Sequence, residues 1–163
     1  MNKPSIRIGG ASGYWGESDM ALPQFLREGD LDYIVFDYLA EITMSIMARA
    51  RSTDESLGYA TDFVQSVMVP NLNEIAQQGV KIISNAGGVN PLACARALRD
   101  AIAANGLDLK VAVVLGDDLV HRKNELVELA PAEMFSGEAF PPVEKIASIN
   151  AYLGAFPIAA ALG

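Results

Sequence analysis

Five side chains in this sequence have the chemistry for proton transfer or cation binding and stand next to short apolar runs. They are Asp37, Glu41, Asn85, Asp117 and Asp118. A carboxylate can act as a general base, an amide can polarise a carbonyl group, and hard divalent cations prefer several carboxylate oxygens. We therefore predict catalytic roles for Asp37, Glu41, Asn85 and Asp117, and a divalent-cation site at Asp117 and Asp118. The alternative for this aspartate pair is N-capping of the helix that follows.

A glycine-rich segment, GGASGYWGES, lies close to the start of the chain. Glycines allow backbone N–H groups to converge on a ligand, and a following helix adds its positive end. We predict that this segment binds a ligand. The candidate ligand-binding residues are Gly10, Ser12, Gly13, Tyr14, Trp15 and Gly16. The alternative is a tight turn capped by Ser18 or Asp19, in which the two aromatic rings cover the core instead of stacking on a ligand.

A nicotinamide dinucleotide is a second candidate ligand for the same segment. Asp37 follows the second apolar run, where a ribose-binding acid stands in dinucleotide-binding folds. However, the glycines are spaced G-G-x-x-G-x-x-G, which differs from the G-x-G-x-x-G fingerprint. Glu17 and Asp19 also place negative charge where a pyrophosphate would bind.

A third cluster, NAGGVNP, supplies further candidates. Asn85, Gly87 and Gly88 precede Asn90, which is a good N-cap for a helix that begins at Pro91. Backbone N–H groups at such a turn can form an oxyanion hole or a phosphate cradle, so we predict that Gly87, Gly88 and Asn90 bind a ligand. The alternative is a glycine turn followed by an N-cap.

Four short runs rich in Val and Ile alternate with longer segments of helical pattern. The runs are Ile6–Ile8, Tyr33–Phe36, Lys81–Ser84 and Val111–Leu115. Near-continuous apolar runs indicate parallel strands that helices cover. We predict an α/β fold of three layers, Rossmann-like, with a mostly parallel sheet and helices on both faces. Ligands collect at the carboxyl ends of such strands, where the candidate residues stand.

The helical pattern predicts six helices between and after these runs. The predicted helices are Ser18–Arg27, Glu41–Arg51, Asp62–Gln78, a helix from Pro91 to the Asn105–Gly106 stop, Asp118–Leu129 and Ile149–Leu162. Pro70 lies inside the third of them and should kink or split it, because proline removes a helical N–H donor.

Composition excludes several classes of protein. The chain has 163 residues, 51% of them hydrophobic, and a net charge of −8 without any block of Lys or Arg. A nucleic acid or an anionic membrane surface requires a positive footprint, so neither partner is expected. The single cysteine, Cys94, excludes a disulfide within the chain and fits a reducing cytoplasm.

The stretch AYLGAFPIAAALG, at the end of the sequence, is apolar but too short to span a membrane. Because soluble domains usually end in polar residues, we expect residues 149–163 to be covered. The cover is either a second copy, in a homo-oligomer, or a C-terminal region that the sequence lacks. We predict one α/β domain over 1–163, incomplete and belonging to the N-terminal part of a longer protein.

Several strings are long and unusual in composition. IGGASGYWGES, LDYIVFDYLAEITMS, GYATDFV, IISNAGGVNP and NAYLGAFPIAAALG together resemble the acyclic terpene utilisation (AtuA-like) family. The resemblance runs across essentially the whole chain. Members of that family are several hundred residues long, so it implies that the chain corresponds to their N-terminal part.

The resemblance implies a cytoplasmic protein of bacterial or fungal type that takes part in the catabolism of branched acyclic isoprenoids such as citronellol and geraniol. Those routes pass through CoA thioesters, which makes a CoA thioester the expected small-molecule substrate. The family supplies no catalytic motif, so the site residues rest on the strand ends alone. A dinucleotide-binding redox domain and a non-catalytic subunit of the same pathway are the alternatives.

Overall fold

The computed structural model describes residues 5–163 and divides the chain into two compact units. The amino-terminal unit extends to Val113, and the carboxyl-terminal unit comprises Val114–Gly163. The amino-terminal unit is an α/β structure with a three-stranded parallel sheet in the order β1-β2-β3 and helices around it. The predicted fold class is thereby confirmed.

The sheet consists of β1 (Ile8–Ser12), β2 (Tyr33–Phe36) and β3 (Lys81–Ser84). The predicted bounds of β2 and β3 are confirmed. The prediction of a first strand at Ile6–Ile8 is wrong, because the ladder with β2 begins at Ile8 and continues through the first glycines to Ser12. Gly10 and Ser12 therefore lie in a strand and not in the loop behind it.

The predicted fourth strand, Val111–Leu115, is not formed. These residues belong to no ladder in the described part of the chain, although their Val-rich composition favours a strand. The Val111 carbonyl oxygen accepts a hydrogen bond from Nη2 of Arg99 at 2.8 Å, so a side chain occupies a group that a neighbouring strand would need. A β-type run becomes a strand only where another strand pairs with its backbone.

Helices connect and flank the strands. They are α1 (Ala21–Glu28), α2 (Glu41–Thr53), a π-helix (Phe63–Met68), a 3₁₀ turn (Val69–Asn71), α3 (Leu72–Gln78) and α4 (Pro91–Ala104). The split predicted at Pro70 is confirmed, since the 3₁₀ turn that contains Pro70 separates the π-helix from α3. Helix α1 begins later than predicted because the Ser18 hydroxyl accepts the Met20 N–H at 3.0 Å.

The core of the amino-terminal unit lies between the sheet and these helices. Phe36, Tyr38 and Phe63 form an edge-to-face aromatic cluster with ring centroids 5.4–5.9 Å apart. Leu22 of α1 and Ile34 of β2 are also fully buried. The aromatic cluster fixes the segment that follows β2, because Tyr38 stands two residues beyond the end of that strand.

The carboxyl-terminal unit contains α5 (Lys123–Glu128), α6 (Phe156–Leu162) and short 3₁₀ turns at Val120–Arg122 and Val143–Lys145. Its only bridge among the described residues joins Asp118 and Asn150 in antiparallel orientation. The longer helices predicted over Asp118–Leu129 and Ile149–Leu162 are wrong, because that bridge holds the start of each segment in extended form. No residue of 114–163 is fully buried.

Candidate functional site

The carboxyl ends of the three strands are joined by hydrogen bonds among predicted site residues. The Asp37 N–H donates to the Ser12 carbonyl at 3.2 Å, which connects the end of β2 to the end of β1. The Asn85 side chain follows β3 and donates through Nδ2 to Oδ1 of Asp37 at 2.7 Å. Its own Oδ1 accepts the Tyr38 N–H at 2.7 Å. Ser12, Asp37 and Asn85 thus form one cluster at the edge where parallel sheets bind ligands.

The Ser12 hydroxyl has an unusual environment. Its Oγ is buried and has no hydrogen-bond partner within the described residues. Buried hydroxyl groups nearly always have a partner, because an unmade hydrogen bond costs on the order of 1–3 kcal/mol. The hydroxyl belongs to the residue whose carbonyl accepts the Asp37 N–H, so a buried polar group without a described partner stands at the end of β1.

The four glycines of the glycine-rich segment, two in β1 and two in the loop behind it, have different structural requirements. A Cβ on Gly9 would approach Cδ1 of Leu31 to 2.8 Å, so Gly9 allows close packing, and Gly16 has a φ of +81°. Neither requirement applies to the other two. A Cβ on Gly10 would meet nothing within 4 Å, and one on Gly13 would meet only Oε2 of Glu17 at 3.9 Å. Packing and backbone strain therefore explain two of the four glycines.

Trp15 covers the core, and Tyr14 does not. The indole of Trp15 is half-buried, packs against the core cluster and donates from Nε1 to Oδ1 of Asp62 at 2.7 Å. Tyr14 is 59% exposed. Of the two predictions for these rings, the cover over the core describes Trp15, whereas the ring of Tyr14 remains accessible to a ligand.

Asp62 and Tyr38 belong to this edge although sequence analysis did not select them as site residues. Burial, followed by the charges of Asp62 and Asp19, raises the pKa of Tyr38 from 10.0 to about 12. Asp62 stands directly before the π-helix, and Tyr38 directly follows Asp37. The available signal was that both lie in the strings GYATDFV and FDYLAE. Neither residue stands out in the sequence, because Asp62 fits the start of a helix and Tyr38 fits an aromatic residue of the core.

The third turn is held together by packing. A Cβ on Gly88, whose φ is +52°, would overlap Sδ of Met47, and one on Gly87 would lie 2.9 Å from Cα of Pro91. Asn90 is buried and caps α4 by accepting the Ala93 N–H. These contacts give Gly87, Gly88 and Asn90 structural duties, and their predicted contact with a ligand stays a prediction.

Asn90 also fastens the loop that precedes the π-helix. Its Nδ2 donates to the carbonyl oxygens of Glu55 and Leu57 at 2.9 and 2.7 Å. Both amide hydrogens are thereby used within the protein.

The remaining predicted acids have no described hydrogen bond to the cluster at the strand ends. Glu41 is the exposed first residue of α2. Asp117 and Asp118 belong to the carboxyl-terminal unit, where Oδ2 of Asp117 accepts Nδ2 of Asn150 at 2.9 Å and Oδ1 of Asp118 accepts the Val120 N–H at 2.9 Å. This bond closes a local turn at Asp118, which stands one residue before the N-cap position Leu119 of the 3₁₀ turn, so the cation site predicted for the aspartate pair stays a prediction.

Two further chemical features concern metals and thiols. Within residues 5–163, neither unit contains a group of three or more His, Cys, Asp or Glu side chains that could hold a metal ion. Burial raises the pKa of the Cys94 thiol to about 11, which disfavours the reactive thiolate.

Across the described residues, we also find no helix with the length and apolarity needed to cross a bilayer.

Comparison with known proteins gives one match. Residues 6–163 match the model of a family described as "Acyclic terpene utilisation family protein AtuA". No curated protein and no solved structure matches the chain.

Proposed function

Because the chain belongs to the acyclic terpene utilisation family, we propose that it acts as an enzyme, or as part of one, in the breakdown of branched acyclic isoprenoids. Its substrate in this proposal is a CoA thioester of a branched acid. The substrate binds at the carboxyl ends of β1, β2 and β3, against the cluster of Ser12, Asp37 and Asn85.

The buried, unpartnered hydroxyl of Ser12 is the observation that carries this proposal. Ligands bind at the carboxyl ends of the strands in parallel sheets, and a buried polar group without a partner there gains a hydrogen bond when a ligand binds. Gly10 and Gly13 support it, because neither packing nor a positive φ requires glycine there. Without side chains, both leave the backbone open to close approach.

The cluster has the parts for proton transfer. Asp37 is exposed, so a substrate or a water molecule can reach its carboxylate, and we assign it the role of general base. The amide of Asn85 holds Oδ1 of Asp37 and fixes the direction of the carboxylate. Ser12 orients the substrate through its hydroxyl group. Glu41 and Asp117 stay predicted catalytic residues for which the described contacts add no role.

The test is a titration with the CoA thioester of citronellic acid, in which calorimetry measures binding. We expect the thioester to bind the parent protein and not to bind Gly13→Ala. The new methyl group would block the ligand from the backbone, but it would clash with no backbone atom of the protein. Ser12→Ala should weaken binding by roughly tenfold, the value of one hydrogen bond to a buried polar group. A cooperative thermal melt of each variant confirms that it is folded.

Asp100→Asn on α4 is the matched control, because Asp100 is an exposed carboxylate of the same unit that lies nine positions beyond the start of α4. It should bind as the parent does, whereas Asp37→Asn should abolish turnover of the thioester. If Gly13→Ala and Ser12→Ala bind the thioester as tightly as the parent, the site is wrong. If NADH binds and the thioester does not, the enzyme assignment is replaced by a dinucleotide-binding function.

We further propose the cytoplasm as the compartment and a second copy of the chain as the cover of residues 149–163. The single buried thiol of Cys94, which forms no disulfide, supports a reducing compartment. The exposed apolar side chains of the last segment support self-association.

A further inference from the structure

The loop between β1 and α1, residues 13–19, is connected to a distant segment by one side-chain hydrogen bond. Nε1–H of Trp15 donates to Oδ1 of Asp62 at 2.7 Å, and the two residues are 47 positions apart in sequence. The other described hydrogen bonds of the loop are local and join Gly13 to Glu17, Glu17 to Tyr14, and Met20 to Ser18. The indole is therefore the hydrogen-bonded link between this loop and the rest of the described chain.

The acceptor of this bond sits on a rigid support. Asp62 precedes the π-helix, whose residues Phe63, Val64, Val67 and Met68 are buried. The ring of Phe63 packs against Phe36, at the end of β2, and against Tyr38. The carboxylate is thus fixed beside the strand ends, and π-helical turns of this kind occur frequently at functional sites.

The loop itself has the features of a movable segment. Gly16 has a φ of +81°, and Gly13 meets no packing constraint, so glycines stand on both sides of Trp15. Segments that close over ligands commonly turn at a few permissive residues. Only the half-buried indole, through its packing and its bond to Asp62, opposes opening of the loop.

We propose that Asp62 is a positioning residue that latches Trp15, and with it the loop 13–19, over the carboxyl ends of the strands until a ligand displaces the loop. The identity of the ligand that displaces the loop rests on the proposed function. The latch itself is a property of the ligand-free protein and is tested there. A hydrogen bond to a charged acceptor is stronger than a neutral one, so one bond can hold a loop of this length.

Trp15 is the only tryptophan of the chain, so its fluorescence reports the loop directly. Asp62→Ala removes the acceptor, and the ratio of closed to open loop should fall roughly tenfold or more, as expected for a hydrogen bond to a charged group. The measurement is quenching by acrylamide, which is uncharged, and the quenching constant should rise. Asp62→Asn keeps an acceptor oxygen but loses the charge, so its quenching constant should lie between those of the parent and Asp62→Ala.

Asp19→Ala is the matched control, because Asp19, like Asp62, acts on Tyr38 through its charge but is not the residue that accepts the indole hydrogen. Its quenching constant should equal that of the parent. Equal quenching in Asp62→Ala and the parent would overturn the latch. The same increase in Asp19→Ala and Asp62→Ala would overturn it as well, since the effect would then be one of charge.

A second measurement uses the unaltered protein and does not depend on the folding of any variant. The proton–nitrogen correlation spectrum should contain one indole resonance, and its exchange with solvent should be slower than that of free tryptophan. Exchange at the rate of the free amino acid would contradict the latch.

Addition of the CoA thioester of citronellic acid then tests the link to the ligand. We expect the indole to become more accessible to acrylamide in the parent, and the thioester to associate faster with Asp62→Ala. If the latch is present and the thioester changes neither quantity, displacement by this ligand is wrong while the latch stands. If the thioester does not bind at all, the proposed function fails separately.

Discussion

Gly13 and Gly88 both stand in strand-end turns, but their surroundings differ. A methyl group on Gly13 would meet only one carboxylate oxygen at van der Waals distance, whereas one on Gly88 would overlap Sδ of Met47 at a positive φ. We expect Gly88→Ala to destabilise the protein by about 1–3 kcal/mol from overpacking alone. Gly13→Ala should leave stability within about 1 kcal/mol of the parent, because it also restricts the unfolded chain.

Urea unfolding measures both changes. Equal loss of stability in the two variants would contradict the division of the glycines into packing positions and open positions. Retained stability in Gly13→Ala is also what makes its loss of ligand binding interpretable.

Tyr38 makes stability depend on alkaline pH. Because burial and the nearby charges raise its pKa from 10.0 to about 12, its contribution is fully present below about pH 10 and is lost as the pH rises through about 12. The sign follows from proton binding: between these values the folded state holds more protons than the unfolded state, so stability falls with rising pH. The buried Cys94 thiol acts in the same direction.

The comparison of Tyr38→Phe with the parent isolates this contribution. The free energy of unfolding of Tyr38→Phe, measured in urea from about pH 9 to about pH 12, should fall less steeply than that of the parent. Parallel curves would show that the phenol is not the titrating group.

Residue positions were predictable where they follow from the order of the strands. Asp37 and Asn85 were expected at the same sheet edge because each directly follows an apolar run, and the structure hydrogen-bonds them to each other, while their catalytic roles stay predictions. Asp62 was missed because an acid before an apolar run also reads as a helix start. The burial of the Ser12 hydroxyl without a described partner depends on the packing of neighbouring strands, which no local pattern encodes.

At the scale of elements, Asn90 joins the start of α4 to the preceding loop. Asn90→Ala removes both the cap and two donated bonds, and we expect a loss of about 2–4 kcal/mol, from a cap worth about 1 kcal/mol and carbonyl groups left unpaired. Asn90→Asp keeps the capping oxygen but turns a carboxylate oxygen toward the carbonyl oxygens of Glu55 and Leu57 in a buried site, so its loss should be at least as large as that of Asn90→Ala. Thermal melting compares the three proteins, and an Asn90→Asp variant as stable as the parent would show that only the cap matters.

Elements were predictable where side-chain patterns specify them. Tyr33–Phe36 and the Ile82–Ile83 pair within Lys81–Ser84 supply apolar side chains, and both strands were placed within the correct bounds. Pro70 splits its predicted helix because it lacks an N–H donor. The first strand was misplaced because glycines carry no side-chain pattern. Val111–Leu115 had the pattern, but strand formation depends on a partner backbone, which lies outside the run itself.

At the scale of the whole molecule, the last segment of the chain exposes large apolar side chains. Tyr152 and Phe156 are 99% and 90% exposed. Because burying apolar surface is favourable, by about 25 cal/mol per Å², we expect copies of this chain to associate through residues 149–163. Sedimentation velocity over a range of concentrations should show a species larger than the monomer.

The double variant Tyr152→Ser, Phe156→Ser should shift the equilibrium to the monomer. Ile42→Ser is the control, since Ile42 is 71% exposed but lies on α2. A parent protein that is monomeric at every concentration, or an equal effect of the control, would contradict association through this segment.

The register of the sheet also predicts an order of folding events. Ile8 pairs with Tyr33, 25 positions later, and Tyr33 pairs with Lys81, 48 positions later. Because the entropy of loop closure grows with the logarithm of loop length, the second pairing costs roughly 0.6 kcal/mol more to initiate than the first. The β1–β2 pair should accordingly be better formed in the transition state, and mutations of Ala11 should slow refolding more than mutations of Ile82 that cost equal stability. The glycine-bearing strand would then nucleate the domain as well as carry its proposed site.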